Sequence, residues 1–449
     1  MTFDEKGRGS RPAPELPLVP ALLRVIARPV QAFFRLEASG GIVLLLAAAA
    51  ALIWANSPAR HLYHRLLDGK VTIGFDSVVF QVPAHAIIND GLMSVFFFVV
   101  GMEIKRELAI GELRTFKKAL LPAVAALGGM LVPAGLYLLL NRGGDGLRGW
   151  AIPMATDIAF SIGVLTLLRG RVSHALVVFL TALAIFDDIG GILVIALFYG
   201  HGLQIGWLVA AAAVLGVVVL VGRRGVRNWA PYLVLGVMLW WAVHQSGVHV
   251  TIAGVLLGLA IPARSRLTPR EVLGRLRAHT SELLDHPGEV EEESLHELEG
   301  RIEDLEAPLT RFIHLLHPWV AYLIVPLFAL ANSGVDLSGA TARSLLQPIC
   351  LGAGLGLFVG KQLGIFAFTM IASRLGLASL PGGARPIEVY GVSLVGGIGF
   401  TVALFIAGLA FPEAAQLTQA KLGILLGSLS AGVVGFAWLR IFARPAAPA

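Results

Sequence analysis

Residues 175–198 read Ala-Leu-Val-Val-Phe-Leu-Thr-Ala-Leu-Ala-Ile-Phe-Asp-Asp-Ile-Gly-Gly-Ile-Leu-Val-Ile-Ala-Leu-Phe, an apolar run that contains two adjacent acids, Asp187 and Asp188. A helix needs roughly 20 apolar residues to cross the hydrocarbon core of a bilayer, so this run predicts a transmembrane helix. One acid at the centre of such a helix costs about 2.5–3.5 kcal/mol on insertion scales. The pair therefore indicates that a cation, a proton or a lysine meets these carboxylates inside the membrane, and a site for small cations is our first interpretation.

The overall composition is that of a polytopic membrane protein. Apolar residues make up 56% of the 449 residues, charged residues make up 14%, and the mean hydropathy is +0.78. These values lie outside the range of soluble globular proteins. The single cysteine, Cys350, excludes an internal disulfide and argues against a thiolate metal cluster, so no cofactor is predicted. The first residues lack an apolar core followed by a small-residue cleavage site, and we expect no cleaved signal peptide.

The positive charges indicate membrane topology. The formal net charge is +6, but Lys and Arg collect in alternate loops, which is how a membrane protein fixes its orientation. The pattern predicts an all-α protein with about 12 spans, both termini in the cytoplasm and no nucleic-acid partner. We place the spans at residues 33–55, 84–104, 119–140, 149–168, 173–199, 203–222, 229–245, 247–262, 316–333, 345–372, 387–411 and 418–440.

Two segments between the spans are not apolar helices. Residues 70–82 are β-branched around a Gly-Phe-Asp break, which predicts a small hairpin on the outside, with an edge that suits pairing with another subunit. Residues 263–311 are acidic and poor in apolar residues, which favours a solvated helix or disorder, with a regulatory or partner-binding role as the alternative. The predicted organisation is a cytoplasmic segment 1–32, spans within 33–262, the cytoplasmic linker 263–311, spans within 312–441 and a cytoplasmic tail 442–449.

Spans four and eleven share a short pattern. The segments Asp157-Ile-Ala-Phe-Ser161 and Gly397-Ile-Gly-Phe-Thr401 both contain Ile-x-Phe followed by Ser or Thr. They are an odd number of spans apart, so equivalent segments would enter the membrane from opposite sides, as inverted repeats in secondary transporters do. Pro153 interrupts one of these spans and several glycines, including Gly396, interrupt the other. Interrupted spans in matching positions predict a binding site near the midplane of the membrane.

Lys361 lies in predicted span ten with no acid near it in the sequence. It needs a carboxylate from another helix, and Asp187 or Asp188 is the expected partner. Successive helical residues differ by about 100° in direction, so one carboxylate can face an ion path while its neighbour faces the lysine. A static buried ion pair is the alternative for Lys361. Asp157 and Lys361 are also suited to compensate the opposite dipole ends of two broken helices that face each other.

Charged residues nearer the ends of the spans are weaker candidates. Glu103 and Glu107 stand at i and i+4 at the end of span two, a spacing typical of a helix-end ion-pair cluster. The functional alternative is an acidic lip that concentrates cations and responds to pH. Asp90 either orients a neighbouring helix or lines a path. His249 titrates in the range of a switch, although histidines at a membrane edge more often satisfy backbone groups.

Six motifs are spread over nearly the whole membrane portion: Ile88-Asn-Asp-Gly-Leu-Met93, Gly101-Met-Glu-Ile-Lys-Arg-Glu-Leu108, Ala155-Thr-Asp-Ile-Ala-Phe160, Phe186-Asp-Asp-Ile-Gly190, Ser246-Gly-Val-His249 and His317-Pro-Trp-Val-Ala321. In this order they resemble the motifs of NhaA-type sodium/proton antiporters. The resemblance implies the same number of spans, with crossed unwound segments in spans four and eleven that belong to inverted-topology repeats. It also implies electrogenic exchange of a sodium or lithium ion for protons in the bacterial inner membrane, by a homodimer joined partly through the outside β-hairpin.

Matching these motifs residue by residue assigns a role to each side chain of the predicted ion site. The resemblance implies that Asp188 is the principal carboxylate for sodium and protons. It makes Asp187 the gating neighbour of Asp188, which shares the sodium site and can pair with Lys361, and Thr156 an oxygen near the ion. It also implies that Asp157 and Lys361 compensate the dipoles of the broken helices.

The same resemblance gives roles to residues nearer the two membrane surfaces. Glu103 and Glu107 would belong to the cytoplasmic entrance and a pH-responsive cluster, and His249 would be a weaker candidate on the opposite side. One position departs from the family pattern, because Ile313 stands where the best-known pattern has an acid before the first of two histidines. This change and the acidic segment 263–311 make an altered pH response the expectation.

The predicted mechanism needs only competition between ions. A carboxylate that holds either a proton or an alkali ion, and that is exposed alternately to each face, lets a proton gradient expel sodium. Low pH should then suppress exchange by protonating the site. A sodium-coupled symporter of a small organic acid is the main alternative, with Lys361 binding the substrate carboxylate, and a cation channel is another. No pairing of a nucleophile with a base is visible, so an enzyme is not predicted.

Overall fold

The computed structural model describes residues 39–75, 78–168, 170–200, 202–226, 228–263, 307–337 and 342–444. The predicted N-terminal segment 1–32, nearly all of the acidic linker 263–311 and residues 445–449 of the predicted tail lie outside these ranges. Within the described ranges the chain is helical apart from loops and a sheet of two strands. The structure therefore bears on the predicted spans and on the site, and within the predicted linker only on residues 263 and 307–311.

Long apolar helices make up most of the fold. In lipid every backbone N–H and C=O must be paired within the segment, which is why apolar runs of this length form helices. Seven helices in the described ranges are long and apolar enough to cross a membrane, or up to ten if each bent pair is counted as one span. The longer α-helices, in chain order, are α1 (Ser39–Ala55), α2 (Arg60–Asp68), α3 (Ala84–Ala109), α4 (Phe116–Leu140), α5 (Ile158–Leu167), α6 (His174–Phe198), α7 (Ile205–Arg223), α8 (Trp229–Ser246), α9 (Thr251–Ala260), α10 (Pro308–Asn332), α11 (Pro348–Arg374), α12 (Pro386–Val395), α13 (Phe400–Ala410) and α14 (Ala414–Phe442).

The helix boundaries differ from the predicted spans mainly where polar residues continue a helix. Predicted span 84–104 lies within α3, which runs on to Ala109 through the charged turn that contains Glu103 and Glu107. Predicted span 316–333 corresponds to α10, which begins earlier, at Pro308. A hydropathy pattern finds the apolar centre of a helix, whereas the hydrogen-bonded helix extends beyond it into the polar surroundings.

Two spans are interrupted in the middle. A 3₁₀ helix, Asp145–Met154, is followed after three non-helical residues by α5 at an angle of 42°. Helices α12 and α13 are separated by Gly396–Gly399 and meet at 48°. These interruptions coincide with the segments that carry the shared Ile-x-Phe pattern. We refer to residues 155–157 and 396–399 as the first and second breaks.

The segment between α1 and α3 contains an amphipathic helix and a β-hairpin. Helix α2 turns away from α1 by 114°, and the hydroxyl of Tyr63 on α2 donates to the carbonyl of Leu330, 2.7 Å away near the end of α10. Strands β1 (Lys70–Phe75) and β2 (Val78–Pro83) then pair antiparallel, with Lys70 opposite Pro83 and Phe75 opposite Val78. These strands cover the segment for which the sequence predicts a hairpin.

The helices pack in two groups, and the broken spans lie between them. Helices α4, α6, α11, α12 and α14 form one group, and α1, α3, α7, α8, α9 and α10 form the other. Helix α5 contacts both α1 and α6, and α13 contacts both α10 and α14. Small residues allow the closest approaches, as at Gly128 of α4, where an added Cβ would lie 2.3 Å from the carbonyl oxygen of Gly364 on α11.

Helix α11 contains a π-helical turn at Gly356–Gly360, directly before Lys361. Such a turn inserts one extra residue per turn and is often found at functional sites, because it rotates the following side chains relative to an ideal helix. Similar turns occur at Ile87–Leu92 in α3 and at Val320–Ile324 in α10. The direction of Lys361 is therefore not the one that ideal helical geometry would give.

Candidate ion-binding site

The two breaks contact each other through hydrogen bonds that the interrupted helices cannot make internally. The backbone N–H of Asp157 donates to the carbonyl of Ile398 across 2.6 Å. The Thr156 hydroxyl lies 3.0 Å from the carbonyl of Gly396, at the end of α12. Each break therefore supplies partners for backbone groups that the other leaves open.

Glycine is required where the breaks are closest. A Cβ added to Gly399 would lie 2.8 Å from the carbonyl oxygen of Ala155 in the first break. This is nearer than real Cβ atoms approach a backbone oxygen, so a larger residue would force the two segments apart. The glycines that mark the second break in the sequence thus permit contact as well as interrupt the helix.

Asp157 bonds to the N-terminal ends of two helices. Its Oδ1 accepts the N–H of Phe160 at 3.0 Å, in the first turn of α5. Its Oδ2 accepts both the N–H of Thr401 at 3.1 Å and the hydroxyl of Thr401 at 2.6 Å, in the first turn of α13. The side chain is buried, with 2% of the residue exposed. One carboxylate thereby faces the positive dipole ends of two half-helices, as the dipole argument requires of Asp157.

Lys361 lies at the opposite, negative end of a broken helix. Its ammonium group donates to the carbonyl of Met154, the last residue of the 3₁₀ helix. The same group donates to Oδ2 of Asp187 at 2.7 Å, and both side chains are fully buried. The structure therefore brings Lys361 together with Asp187, one of the two partners that the sequence predicts, and places both beside the first break.

Asp187 is held by its Oδ2 alone. Besides the lysine, this oxygen accepts the hydroxyl of Thr156 at 2.6 Å. The other oxygen, Oδ1, is buried and has no hydrogen-bond partner among the described residues. A buried carboxylate oxygen without a partner is costly, so it marks a position that a cation or a proton would stabilise.

Asp188 points in a different direction, into a cavity of about 450 Å³. It is 7% exposed and makes no hydrogen bond to any residue that the structure describes. Lys361 and Asp187 do not line this cavity. The adjacent aspartates are thus divided, one facing open space and one facing the lysine. The polar residues of the lining are Glu103, Thr156, Asp157, Asp188, His317, Tyr322 and Thr401.

The charges around Asp188 favour a small cation. Asp187, Glu103 and Asp157 act on it with negative charge, and Lys361 acts with positive charge. Carboxylate and hydroxyl oxygens are hard ligands that suit alkali ions better than soft metals. Among the described residues no group of three or more His, Cys, Asp or Glu side chains is arranged to hold a metal ion. The carboxylate and hydroxyl oxygens around the cavity are the kind of ligand that suits an alkali ion.

The sequence pattern of the Na+/H+ antiporter 1 family matches residues 31–439. The chain belongs to this family. It is 56% identical over 436 residues to "Na(+)/H(+) antiporter NhaA 1" of Myxococcus xanthus, covering 96% of this chain and 97% of that relative. It is also 56% identical to "Na(+)/H(+) antiporter NhaA" of an Anaeromyxobacter species, over 97% of this chain and 96% of that relative. A relative of the same name from Oleidesulfovibrio alaskensis is 46% identical over 94% of this chain and 95% of its own length.

Family membership confirms the resemblance drawn from the motifs. The apolar helices and the family together make this chain a multi-pass transporter of the inner membrane that exchanges sodium for protons. The relatives are named as antiporters and not as enzymes. The family does not assign roles to residues of this chain, so those roles depend on the geometry of the site.

The structure separates the two glutamates that the sequence groups together. Glu103 lines the cavity that contains Asp188. Glu107 does not line it, and its Oε2 instead accepts the backbone N–H of Glu112 at 3.1 Å, while its Oε1 lies 3.8 Å from Arg106. Of the pair, only Glu103 is placed to act on an ion in the cavity.

Asp90 and His249 lie close to each other but away from the cavity. The Nε2 of His249 is 3.9 Å from Oδ1 of Asp90, and neither residue lines the cavity. The His249 ring contacts that of Phe405 at 5.4 Å between centroids, and Phe405 also contacts Phe97 at 5.4 Å and Phe328 at 6.3 Å. We call Phe97, Phe328 and Phe405 the aromatic barrier. The ring of Phe405 in this barrier is what contacts His249.

Sequence reasoning missed Thr401 and the aromatic barrier. Thr401 occupies the Ser/Thr position of the shared pattern, so the repeat contained the signal that this hydroxyl belongs to the site. The rings of Phe160 and Phe400, at equivalent positions of the same pattern, lie 5.8 Å apart. The barrier gave no comparable signal, because phenylalanines in an apolar span look the same whether they face lipid or another helix.

Proposed function

We propose that this antiporter binds its transported ion at Asp188 and that a sodium ion and protons compete for that carboxylate. The observation that carries the proposal is the division of the aspartate pair. Asp188 is nearly buried, faces a cavity and has no hydrogen-bond partner among the described residues, whereas Asp187 is held by Lys361. A buried carboxylate without hydrogen-bond partners is stabilised by either a sodium ion or a proton, and binding of one weakens binding of the other.

Asp187 and Lys361 form an ion pair beside the proposed ion position. The ammonium group of Lys361 occupies Oδ2 of Asp187, so an ion that needs this oxygen must displace the ammonium, whereas Oδ1 has no partner among the described residues. The hydroxyl of Thr156 donates to the same oxygen of Asp187. Thr156 also lines the cavity that contains Asp188, so it lies between this ion pair and the cavity. In this proposal sodium is bound by Asp188 with help from Asp187 and Thr156, and lithium is an alternative substrate of the same oxygen site.

The two breaks let the transported ion reach the site from either face of the membrane. In secondary transporters an ion site near the midplane is opened alternately to each face by movement of one group of helices against another. Here the broken spans lie between the two groups, which is the position such a movement requires. In this proposal the cavity, which Glu103 lines, is the access on one side, and the aromatic barrier, whose Phe405 ring contacts His249, closes the other side.

The topology is part of the same proposal. About 12 spans with inverted-topology repeats place both termini and the Glu103 side in the cytoplasm, and the hairpin of β1 and β2 on the outside. The hairpin leaves one edge of each strand unpaired in this chain, which suits pairing in a homodimer. Exchange is electrogenic in this proposal, since one alkali ion leaves for more than one proton.

The test is sodium-triggered proton movement in everted vesicles that contain the full chain. Replacement Asp188→Asn keeps the shape of the side chain but removes its charge, so we expect exchange to fall to the background of vesicles without the protein. Asp145→Asn, an exposed acid in the first turn of the 3₁₀ helix, is the matched control and should exchange normally.

Folding is checked separately by the amount of protein in the membrane and by its thermal unfolding. Near-normal exchange by the Asp188→Asn protein would remove Asp188 from the proposed role. Sodium flux that appears only when an organic acid is added would favour the symporter alternative. Low pH should suppress exchange by the unaltered protein, because protons then occupy the carboxylate.

A further inference from the structure

A second buried polar contact lies next to Lys361. Gln362 follows the lysine in α11 and is 6% exposed. Its Oε1 accepts the hydroxyl of Tyr390 across 2.7 Å, and Tyr390 belongs to α12, the first half of the second broken span. The Gln362–Tyr390 bond therefore joins the helix that carries Lys361 to the helix that leads into the second break.

Tyr390 is itself fixed by its surroundings. Its ring packs edge-on against Phe366 at 5.3 Å and against Trp438 of α14 at 5.1 Å. The indole N–H of Trp438 donates to the carbonyl of Ile387 on α12 at 3.0 Å. The hydroxyl of Tyr390 is thus presented to Gln362 from a rigid aromatic cluster.

The Gln362–Tyr390 bond constrains the rotation of α11 on the side that faces α12. The π-helical turn Gly356–Gly360 comes directly before Lys361, so the lysine's direction is not set by ideal helical geometry. On one side α11 packs closely on α4, with Gly360 against Pro133 and Gly364 against Gly128. On the side of α12, Gln362–Tyr390 is the side-chain hydrogen bond between the described residues of the two helices.

The position of Lys361 matters because the lysine competes with the transported ion. The charged groups that face its ammonium are Asp187, to which it is bonded, and Asp188. An ammonium held firmly on Asp187 makes that carboxylate harder for sodium to use. A loosely held ammonium leaves it more available.

We propose that Gln362 and Tyr390 are positioning residues that hold Lys361 against Asp187 and thereby raise the sodium concentration that half-saturates exchange. The inference depends on the proposed function, since it assigns a consequence for ion affinity to the same aspartate site. Neither residue contacts the ion. Their effect is transmitted through the rotation of α11.

The experiment measures the half-saturating sodium concentration and the maximal rate of exchange in everted vesicles. Tyr390→Phe removes only a hydroxyl and keeps the aromatic packing, so it tests the bond with little risk to folding. Gln362→Met removes the acceptor with similar volume. Each variant should lower the half-saturating concentration by about two- to tenfold, the range that one neutral hydrogen bond produces in an equilibrium constant. The maximal rate should stay within about twofold, since positioning affects binding before it affects turnover.

Two comparisons separate positioning from general stability. The double variant should behave like either single one, because both remove the same bond. Tyr232→Phe is the matched control: it removes a hydroxyl that donates to the carbonyl of Val226 at 2.9 Å, in the other group of helices. It should leave the half-saturating concentration unchanged.

Three results would each contradict the positioning role of Gln362 and Tyr390. An unchanged or higher half-saturating concentration in Tyr390→Phe, or a fall in the maximal rate alone, would overturn the positioning role while leaving the proposed function intact. Additive effects in the double variant would also overturn it, since the two residues would then act separately. No sodium-triggered proton movement by the unaltered protein would overturn the proposed function and this inference together.

Discussion

Replacement of Asp157 by Asn tests whether one charge stabilises both breaks. The carboxylate accepts the N–H of Phe160 at 3.0 Å, the N–H of Thr401 at 3.1 Å and the hydroxyl of Thr401 at 2.6 Å. An asparagine has one acceptor oxygen, so it can satisfy one helix end. Its NH₂ group then faces the N–H of Thr401, which loses its partner.

The expected loss can be estimated from these contacts. A hydrogen bond to a charged group contributes about 1.5–3 kcal/mol, and a buried donor left without a partner costs about 1–3 kcal/mol. Loss of the charge at a helix N-terminus adds about 0.3–1 kcal/mol. Together these terms give a destabilisation of about 3–5 kcal/mol, after allowing for relaxation around the new side chain. For a chain of 449 residues that corresponds to a fall of about 3–5 °C in the midpoint of thermal unfolding.

Thermal unfolding of the purified protein measures this change, and vesicle exchange measures its consequence. The Asp157→Asn protein should unfold earlier and exchange more slowly at every sodium concentration. Asp145→Asn, with its exposed carboxylate, should unfold at the original temperature. An unchanged midpoint for Asp157→Asn would refute the reasoning, because it would mean that the charge of this carboxylate does not stabilise the two helix ends.

Three further predictions concern the cavity, the barrier and the breaks. Phe405→Ala should open the aromatic barrier and let protons leak through vesicles without added sodium, at a cost of about 3–5 kcal/mol in stability; a tight membrane would contradict a closing role. Glu103→Gln should raise the half-saturating sodium concentration by about fivefold, the effect of roughly 1 kcal/mol of lost attraction, whereas Glu107→Gln should not change it. Equal effects would mean that proximity to the cavity is irrelevant. Gly399→Ala should lower the unfolding midpoint, since overpacking costs about 1–3 kcal/mol, while Gly408→Ala, whose Cβ would meet nothing within 4 Å, should not.

The site could be predicted from the sequence where charged side chains lie in apolar spans. Asp187, Asp188 and Lys361 are conspicuous because charges are rare in apolar spans, and a lysine without a nearby acid implies a partner from another helix. The broken spans were also predictable, since proline and glycine have known effects on helices. The apolar runs of about 20 residues then predicted the approximate positions of the helices around them.

The remaining features depend on three-dimensional contacts that leave no local signal. Which aspartate faces Lys361 depends on the rotation of α6 and α11, and the π-helical turn before Lys361 changes that rotation. Glu107 accepts the backbone N–H of Glu112, whereas Glu103 lines the cavity, and the spacing of the two residues in the sequence does not distinguish them. Gln362 and Tyr390 are far apart in sequence, and a glutamine in an apolar span gives no indication of which residue will bond to it.

The hydroxyl group of Thr156 carries a single hydrogen and lies within reach of two acceptors, Oδ2 of Asp187 at 2.6 Å and the carbonyl of Gly396 at 3.0 Å. Rotation about one side-chain bond transfers that hydrogen from one acceptor to the other and turns an oxygen lone pair toward the carboxylate's vicinity. In the proposed function, the threonine therefore donates to Asp187 when no sodium is bound and offers an oxygen ligand when a sodium ion is bound. This change requires no displacement of the main chain. In that proposal the hydrogen bonds of the site therefore rearrange by side-chain rotation, which is faster than the movement of the surrounding helices.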